Sequence, residues 1–236
     1  MTEKLFCNNE TFVHVKDNYD QIVENISSAM EKTGRTDKVR LMAVTKTVSY
    51  EIVNFASSIG IDLLGENRVQ EFLSKYEHYD KKSQIHFIGG LQTNKVKYII
   101  DKVSMIQSVD SMKLADEINK RSQAINRCID ILIEVNIGGE ESKSGVSVDE
   151  LSELADYCST LSNVKLKGFM AIPPIDENGS SCKYFEKMER LYNDYRKKFG
   201  EQIDTLSMGM SGDYMNAIRY GASIVRIGSA LFGKRS

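Results

Sequence analysis

Two prolines in 236 residues, and no low-complexity tract, leave nothing in this chain that reads as a linker. No run approaches the roughly 18 apolar residues that a membrane-spanning helix needs. Residues 1–11 are polar and acidic without an apolar centre, so they do not read as a signal peptide. The four cysteines, Cys7, Cys128, Cys158 and Cys182, include no CxxC pair, which argues against a zinc site or a disulfide framework and for reduced thiols. Three histidines, His14, His78 and His86, are too scattered to form a site. A formal net charge of −2 gives no basic field for nucleic acid and no polybasic patch for a membrane surface. The expectation is a cytoplasmic protein with neither nucleic acid nor membrane as a partner. Hydrophobic content of 41% and charged content of 27% allow an ordinary core, and the length suits one large α/β domain or two small ones.

What is present is alternation. A helix is expected over 13–32, with Tyr19, Ile22, Val23, Ile26 and Met30 at helical spacing. Eight short apolar runs then read as strands: 39–46, 61–67, 85–90, 105–110, 130–137, 166–173, 205–210 and 224–229. Amphipathic helical patterns separate them. Ser147 and Glu150 have capping-box spacing, and Ser111 stands where it can cap another helix. Eight βα units without a long break match a single (β/α)8 barrel of TIM type over 39–233, with residues 1–12 expected to be flexible. A doubly wound open sheet is the competing architecture, but the first turn, Lys46-Thr47-Val48-Ser49, lacks its GxGxxG.

Strand side chains alternate between two faces. In 39–46 that rule puts Leu41, Ala43 and Thr45 on one face and Arg40, Met42, Val44 and Lys46 on the other. The second set would line the barrel and bring Lys46 to its ligand-binding end, together with Asn67, Asn136 and Arg226. An ammonium there needs a partner, a lowered pKa or a covalent bond. Burial and a neighbouring cation such as Arg226 would make it nucleophilic toward a carbonyl, giving a Schiff base. Alternatively it snorkels to solvent or pairs with Glu66.

The segments after the seventh and eighth strands bear on that choice. Ser207, Gly209, Ser211 and Gly212 follow one, and Gly228 and Ser229 the other. Small residues let backbone N–H groups approach an anion, and barrels commonly bind phosphate at those two loops. The glycines are equally compatible with plain turns. With a lysine at the mouth, the combination favours a phosphate-bearing aldehyde, of which pyridoxal 5′-phosphate is the obvious one. Arg226, two residues below Gly228 on the same face, can meet the pyridine nitrogen or, without a ligand, pair with Glu134. A guanidinium keeps that nitrogen unprotonated and weakens the ring as an electron sink.

Ala43-Val44-Thr45-Lys46-Thr47, Gly65-Glu66-Asn67-Arg68-Val69-Gln70-Glu71, Leu91-Gln92-Thr93-Asn94-Lys95, Glu141-Ser142-Lys143-Ser144-Gly145, Gly168-Phe169-Met170-Ala171-Ile172-Pro173, Ser207-Met208-Gly209-Met210-Ser211 and Val225-Arg226-Ile227-Gly228 together resemble the pyridoxal phosphate homeostasis proteins. That family is similar to the barrel half of alanine racemase, the type III fold of pyridoxal phosphate enzymes. The resemblance implies a Schiff base on Lys46, ring-side contacts from Asn67 and Met170, and the pyridine nitrogen on Arg226. It further implies phosphate contacts from Ser207, Ser211, Gly228 and Ser229. Three departures stand out: Val48-Ser49 replaces a lysine-proline pair, Gly90 stands where proline is common, and Ser229 replaces a threonine but keeps a hydroxyl.

The function so implied is a monomeric binding protein in intracellular vitamin B6 balance. It would buffer the cofactor or hand it to pyridoxal phosphate-dependent apo-enzymes, without efficient catalysis. A racemase of this barrel type draws a second acid/base from a carboxyl-terminal β-domain, which is not expected here. A slow racemase is the alternative, and it would need Tyr214 or Tyr220 at the cofactor. A Schiff-base aldolase acting on a sugar phosphate is a weaker one. His86 is expected to be structural, at the barrel end away from the ligand. Met170, Met208 and Met210 read as packing as far as chemistry is concerned. The Glu140–Gly145 segment reads as a loop over the mouth.

Overall fold

The structure, a computed structural model, describes residues 9–140, 143–175 and 180–233. The aliphatic runs form β1 (Arg40–Val44), β2 (Leu63–Glu66), β3 (Gln84–Phe87), β4 (Met105–Val109), β5 (Ile129–Glu134), β6 (Val164–Met170), β7 (Thr205–Ser207) and β8 (Ile224–Ile227). They pair in parallel in chain order and close on themselves. Closure rests on the pairings Arg40↔Ile224, Leu41↔Val225, Met42↔Arg226 and Ala43↔Ile227, and an open sheet would lack them. The barrel expected from the sequence is therefore the one found.

Helices cover the outside: α1 (Asn9–Lys32), α2 (Tyr50–Ser58), α3 (Val69–Tyr76), α4 (Thr93–Ile99), α5 (Met112–Ala124), α6 (Leu151–Thr160), α7 (Cys182–Phe199), α8 (Tyr214–Arg219) and α9 (Ser229–Phe232). α1 begins at Asn9, inside the stretch expected to be flexible, and residues 1–8 lie outside the described residues. It buries Val15, Ile22, Ile26 and Ala29. Asn18 donates to the Leu231 carbonyl of α9 at 3.0 Å, and Arg35, just past α1, donates to the carbonyls of Ile218 and Ala222 at 2.7 and 2.9 Å.

The alternation of side chains holds. Met42, Leu63 and Ile224 form one inner cluster, and Met105, Leu132 and Met170 another. Ala43, Leu64, Phe87, Ile106, Ile131, Phe169, Leu206 and Val225 turn outward into the large core under the helices. Each strand ends one to three residues earlier than the sequence reading placed it. Single backbone bonds still join neighbours past those ends, such as the Ile88 N–H to the Glu66 carbonyl at 2.8 Å and the Ala171 N–H to the Ser207 carbonyl at 3.0 Å, before the chain turns away. The caps also differ in detail. Ser147 accepts the Glu150 N–H at 3.3 Å and donates to its carboxylate, but α6 starts only at Leu151. Ser111 sits at the N-cap of α5, yet its hydroxyl meets Asp110.

β6 carries a bulge: Ile131 pairs with Leu166 and Leu132 with Gly168, so Lys167 is extra. Gly168 there adopts φ +147°, and a Cβ would fall 1.8 Å from the Thr205 carbonyl oxygen. Gly168→Ala is therefore expected to lower stability by about 3 kcal/mol or more, read as a lower urea midpoint, because β6 and β7 must part. An unchanged midpoint would show that the bulge tolerates a side chain.

The end opposite the mouth is closed by charge. Arg40 donates to Gln84 and to Asp62, at 2.9 and 3.2 Å, and Lys167 pairs with Asp204 at 2.5 Å. His86 is buried there, its Nδ1 2.9 Å from the Gln107 amide, in keeping with a structural role.

Candidate functional site

Lys46 stands two residues beyond the end of β1, half-buried rather than sealed in a strand. Thr45 to Val48 make a tight turn, closed by the Val48 N–H on the Thr45 carbonyl at 3.0 Å. Thr47, its third residue, takes φ +62°, a left-handed conformation that costs a β-branched residue on the order of 1–3 kcal/mol. Something must hold that turn.

The lysine faces a cavity of about 600 Å³ at the carboxyl-terminal end of the barrel. Asn67, Arg226, Ser211, Gly228 and Ser229 line it too, so six of the sequence-derived residues meet in one place. Its other walls are Val44 and Gly212, which the sequence reading put on the lining face and in the phosphate loop, and Ile88, Ile172 and Met210, which it did not assign to the site. Met210 is 39% exposed at the rim rather than packed in the barrel. Asn67 seats against Gly89, where a Cβ would lie 2.0 Å from the Asn67 carbonyl oxygen.

Three expected members are elsewhere. Ser207 and Met170 are fully buried and do not line the cavity. The Ser207 hydroxyl accepts from Arg226 Nη1 at 2.8 Å, and Met170 packs with Met105 and Leu132. Asn136 is committed to its own loop: its amide donates to the Glu140 carbonyl at 2.8 Å and its oxygen accepts the Gly139 N–H at 3.0 Å. Of the Glu140–Gly145 loop, Glu141 and Ser142 lie outside the described residues; Lys143 pairs with Glu140 at 2.8 Å.

Arg226 is 3% exposed, and its second terminal nitrogen donates to the Ala171 carbonyl at 2.7 Å. Burial pulls its guanidinium down to about 10, so it stays cationic at neutral pH. Its donors go to Ser207 and Ala171, not to Glu134 as the ligand-free alternative supposed. Glu134 is buried nearby, and burial, then the negative charge of Asp110, push its carboxyl up to about 7 against the pull of Arg226.

Across from Lys46, the Ser211 hydroxyl accepts two backbone N–H groups, those of Gly228 and Ala230, each at 3.2 Å. Those N–H groups converge where β8 turns into α9. Gly209 makes the approach of the β7–α8 loop possible: it takes φ +89°, and a Cβ would come within 2.5 Å of the Ala217 side chain. The alternative partner of Lys46 is also settled. Glu66 points outward from β2 and accepts from Thr45 at 2.7 Å and from Tyr79, so it does not reach the cavity.

The donor set fits a flat, anionic aldehyde. A primary amine stands at one wall, a buried cation at the base and two serine hydroxyls at the far side, with aliphatic surface between. No tyrosine lines the cavity among the described residues. The Tyr214 hydroxyl is bonded to Asn25 at 3.0 Å on the outer layer, and Tyr220 packs near Phe185. No described group of His, Cys, Asp and Glu is arranged to hold a metal ion, and no described helix is long and apolar enough to cross a membrane.

Comparison with known proteins agrees with this fold. The family model for the alanine racemase N-terminal domain matches residues 18–236. The pyridoxal phosphate homeostasis protein of Aquifex aeolicus is 47% identical over 91% of this chain and 96% of its own. A crystal structure of an unknown protein from Bifidobacterium adolescentis, 31% identical, superposes with a TM-score of 0.89 over 97% of this chain and 98% of that one. The PipY protein of Synechococcus elongatus, solved with pyridoxal phosphate bound, is 26% identical with a TM-score of 0.77, covering 90% of this chain and 100% of its own.

Proposed function

The chain belongs to the pyridoxal phosphate homeostasis proteins, within the alanine racemase N-terminal domain family, and from that premise we propose that it holds pyridoxal 5′-phosphate as a Schiff base on Lys46. The observation that carries the reading is the meeting of the Lys46 amine, the buried Arg226 and the Ser211, Gly228 and Ser229 corner around one cavity. When bound, the cofactor supplies an electrophilic aldehyde carbon and a conjugated pyridine ring.

The residues then divide the work. Lys46 Nζ is the point of attachment. Arg226, held by Ser207 and Ala171, donates to the pyridine nitrogen and keeps it unprotonated. The hydroxyls of Ser211 and Ser229, beside Gly228, take the phosphate, with Ser211 held in place by the Gly228 and Ala230 N–H groups. Asn67 flanks the ring beside Ile88. Ser207 acts through Arg226, and Met170 supports the floor from the inner packing.

The role is storage and delivery rather than turnover: a monomer in the cytoplasm that buffers the cofactor for apo-enzymes. A guanidinium at the ring nitrogen disfavours carbanion chemistry, and a racemase would need an acid/base opposite Lys46, which neither Tyr214 nor Tyr220 supplies. Borohydride reduction of protein loaded with pyridoxal phosphate is expected to bleach the visible band and fix the cofactor mass on the peptide containing Lys46. Mass on another lysine peptide, such as that of Lys75 or Lys143, sinks the assignment.

A further inference from the structure

Behind the wall that presents Lys46, a charged cluster is buried among β1, β2 and α3. Lys75 has a side chain only 10% exposed, and Glu66 none of its own exposed. Lys75 Nζ donates to Glu71 at 2.9 Å and lies 3.6 Å from Glu66. Its remaining donors reach backbone: the carbonyl of Thr45 at 3.0 Å and, more weakly, that of Val48 at 3.5 Å. Glu71 also accepts the Thr47 N–H at 2.5 Å, and Glu66 accepts the Thr45 hydroxyl.

Every one of these backbone contacts lands on the four-residue turn that carries Lys46. They grip Thr45 before it and Thr47 and Val48 after it, and touch nothing in the cavity. Buried ion pairs are poor sources of stability, because desolvation offsets attraction. Glu66 Oε2 has no hydrogen-bond partner at all. Burial pushes the Glu71 carboxyl up, but the Lys75 ammonium and the Thr47 N–H outweigh it and hold the carboxyl below its usual value. Glu71 is thus charged at neutral pH, and the cluster is aimed at a strained turn.

We infer that Lys75, Glu71 and Glu66 are positioning residues that hold the Lys46 amine in attacking geometry from outside the barrel. The inference rests on the Schiff-base reading above and deepens it. Condensation of the Lys46 amine with an aldehyde, releasing one water, needs the nitrogen aligned on the carbonyl carbon. Loss of alignment slows such a step by about 10- to 100-fold while leaving binding that does not involve the amine alone.

The test uses the full chain with two ligands: pyridoxal 5′-phosphate, and pyridoxine 5′-phosphate, which has an alcohol in place of the aldehyde. Lys75→Met and Glu71→Ala are expected to form the visible Schiff-base band about 10- to 100-fold more slowly than the unaltered protein, with affinity for pyridoxine 5′-phosphate unchanged. Lys75→Arg, which keeps the cation and its donors, is expected to recover most of the rate. Glu71 is partly exposed on α3, so Glu71→Ala carries the test if Lys75→Met does not fold. Band formation at the unaltered rate in Glu71→Ala overturns the inference, as does an equal loss of affinity for both ligands, which marks a purely structural role. Failure of the unaltered protein to form a reducible adduct at Lys46 overturns instead the reading on which it rests.

Discussion

Lys46→Ala protein loaded with pyridoxal 5′-phosphate is expected to show no Schiff-base band and no adduct after borohydride. Truncating a half-buried side chain in a turn leaves the strand pairings of β1 untouched, so stability should change by no more than about 0.5 kcal/mol. The other contacts also survive. Arg226 keeps its bonds to Ser207 and Ala171, and Gly228 and Ala230 still hold the Ser211 hydroxyl at the cavity wall. Affinity for pyridoxine 5′-phosphate, measured by calorimetry, should therefore match that of the unaltered protein. Colour loss without loss of this second affinity separates the covalent bond from the cavity that surrounds it. A coloured, reducible adduct persisting in Lys46→Ala ends the proposal.

The second large effect concerns acid. His86 is buried, and burial, helped by the Arg40 charge, pulls its imidazole from 6.5 down to about 3. Unfolded chains bind a proton on this residue below about pH 6.5, whereas the folded one refuses it until near pH 3, so stability falls as pH drops through that window. At 1.36 kcal/mol per unit the full loss is about 5 kcal/mol. Glu134 acts in the opposite sense. Its folded value near 7 exceeds 4.5, so the folded state keeps a proton the unfolded state has lost, and stability falls as pH rises across that interval, by about 3 kcal/mol at most. Between pH 4.5 and 6.5 the two slopes oppose each other; below 4.5 only that of His86 remains. Urea unfolding from pH 4 to 8 checks this. The gap between the unaltered protein and His86→Gln should close by about 3 kcal/mol in favour of the variant between pH 6.5 and 4. Glu134→Gln should gain on the unaltered protein as pH rises. Curves that stay parallel refute the buried-group account.

How much of this was legible in the sequence depends on the distance each inference had to cover. The period-two rule carried Lys46, Arg226 and Gly228 to the mouth, because parity along a strand survives folding. The Ser211 hydroxyl and Ser229 followed from small residues next to the last strands. Ser207 and Met170 share the inward parity but sit deeper, and parity carries no information about depth. Their places were taken by Ile88, Ile172 and Met210, whose side chains reach the cavity from loops where no period applies. The same rule could have set aside a Glu66–Lys46 pair, since Glu66 follows Gly65, which faces Met42 inside the barrel. The cluster behind the wall left only a Glu71–Lys75 spacing of four. That spacing ordinarily marks a solvated helix face.

Lys46 extends from β1, while Arg226, Gly228 and Ser229 belong to β8 and its continuation, and these two strands are the ones whose pairing closes the ring. A molecule bonded to the first and cradled by the second spans that seam like a staple. Occupancy would then resist the parting of the first stave from the last as well as global unfolding. The loaded protein would serve as its own gauge of cofactor supply, growing harder to pull open as more becomes available.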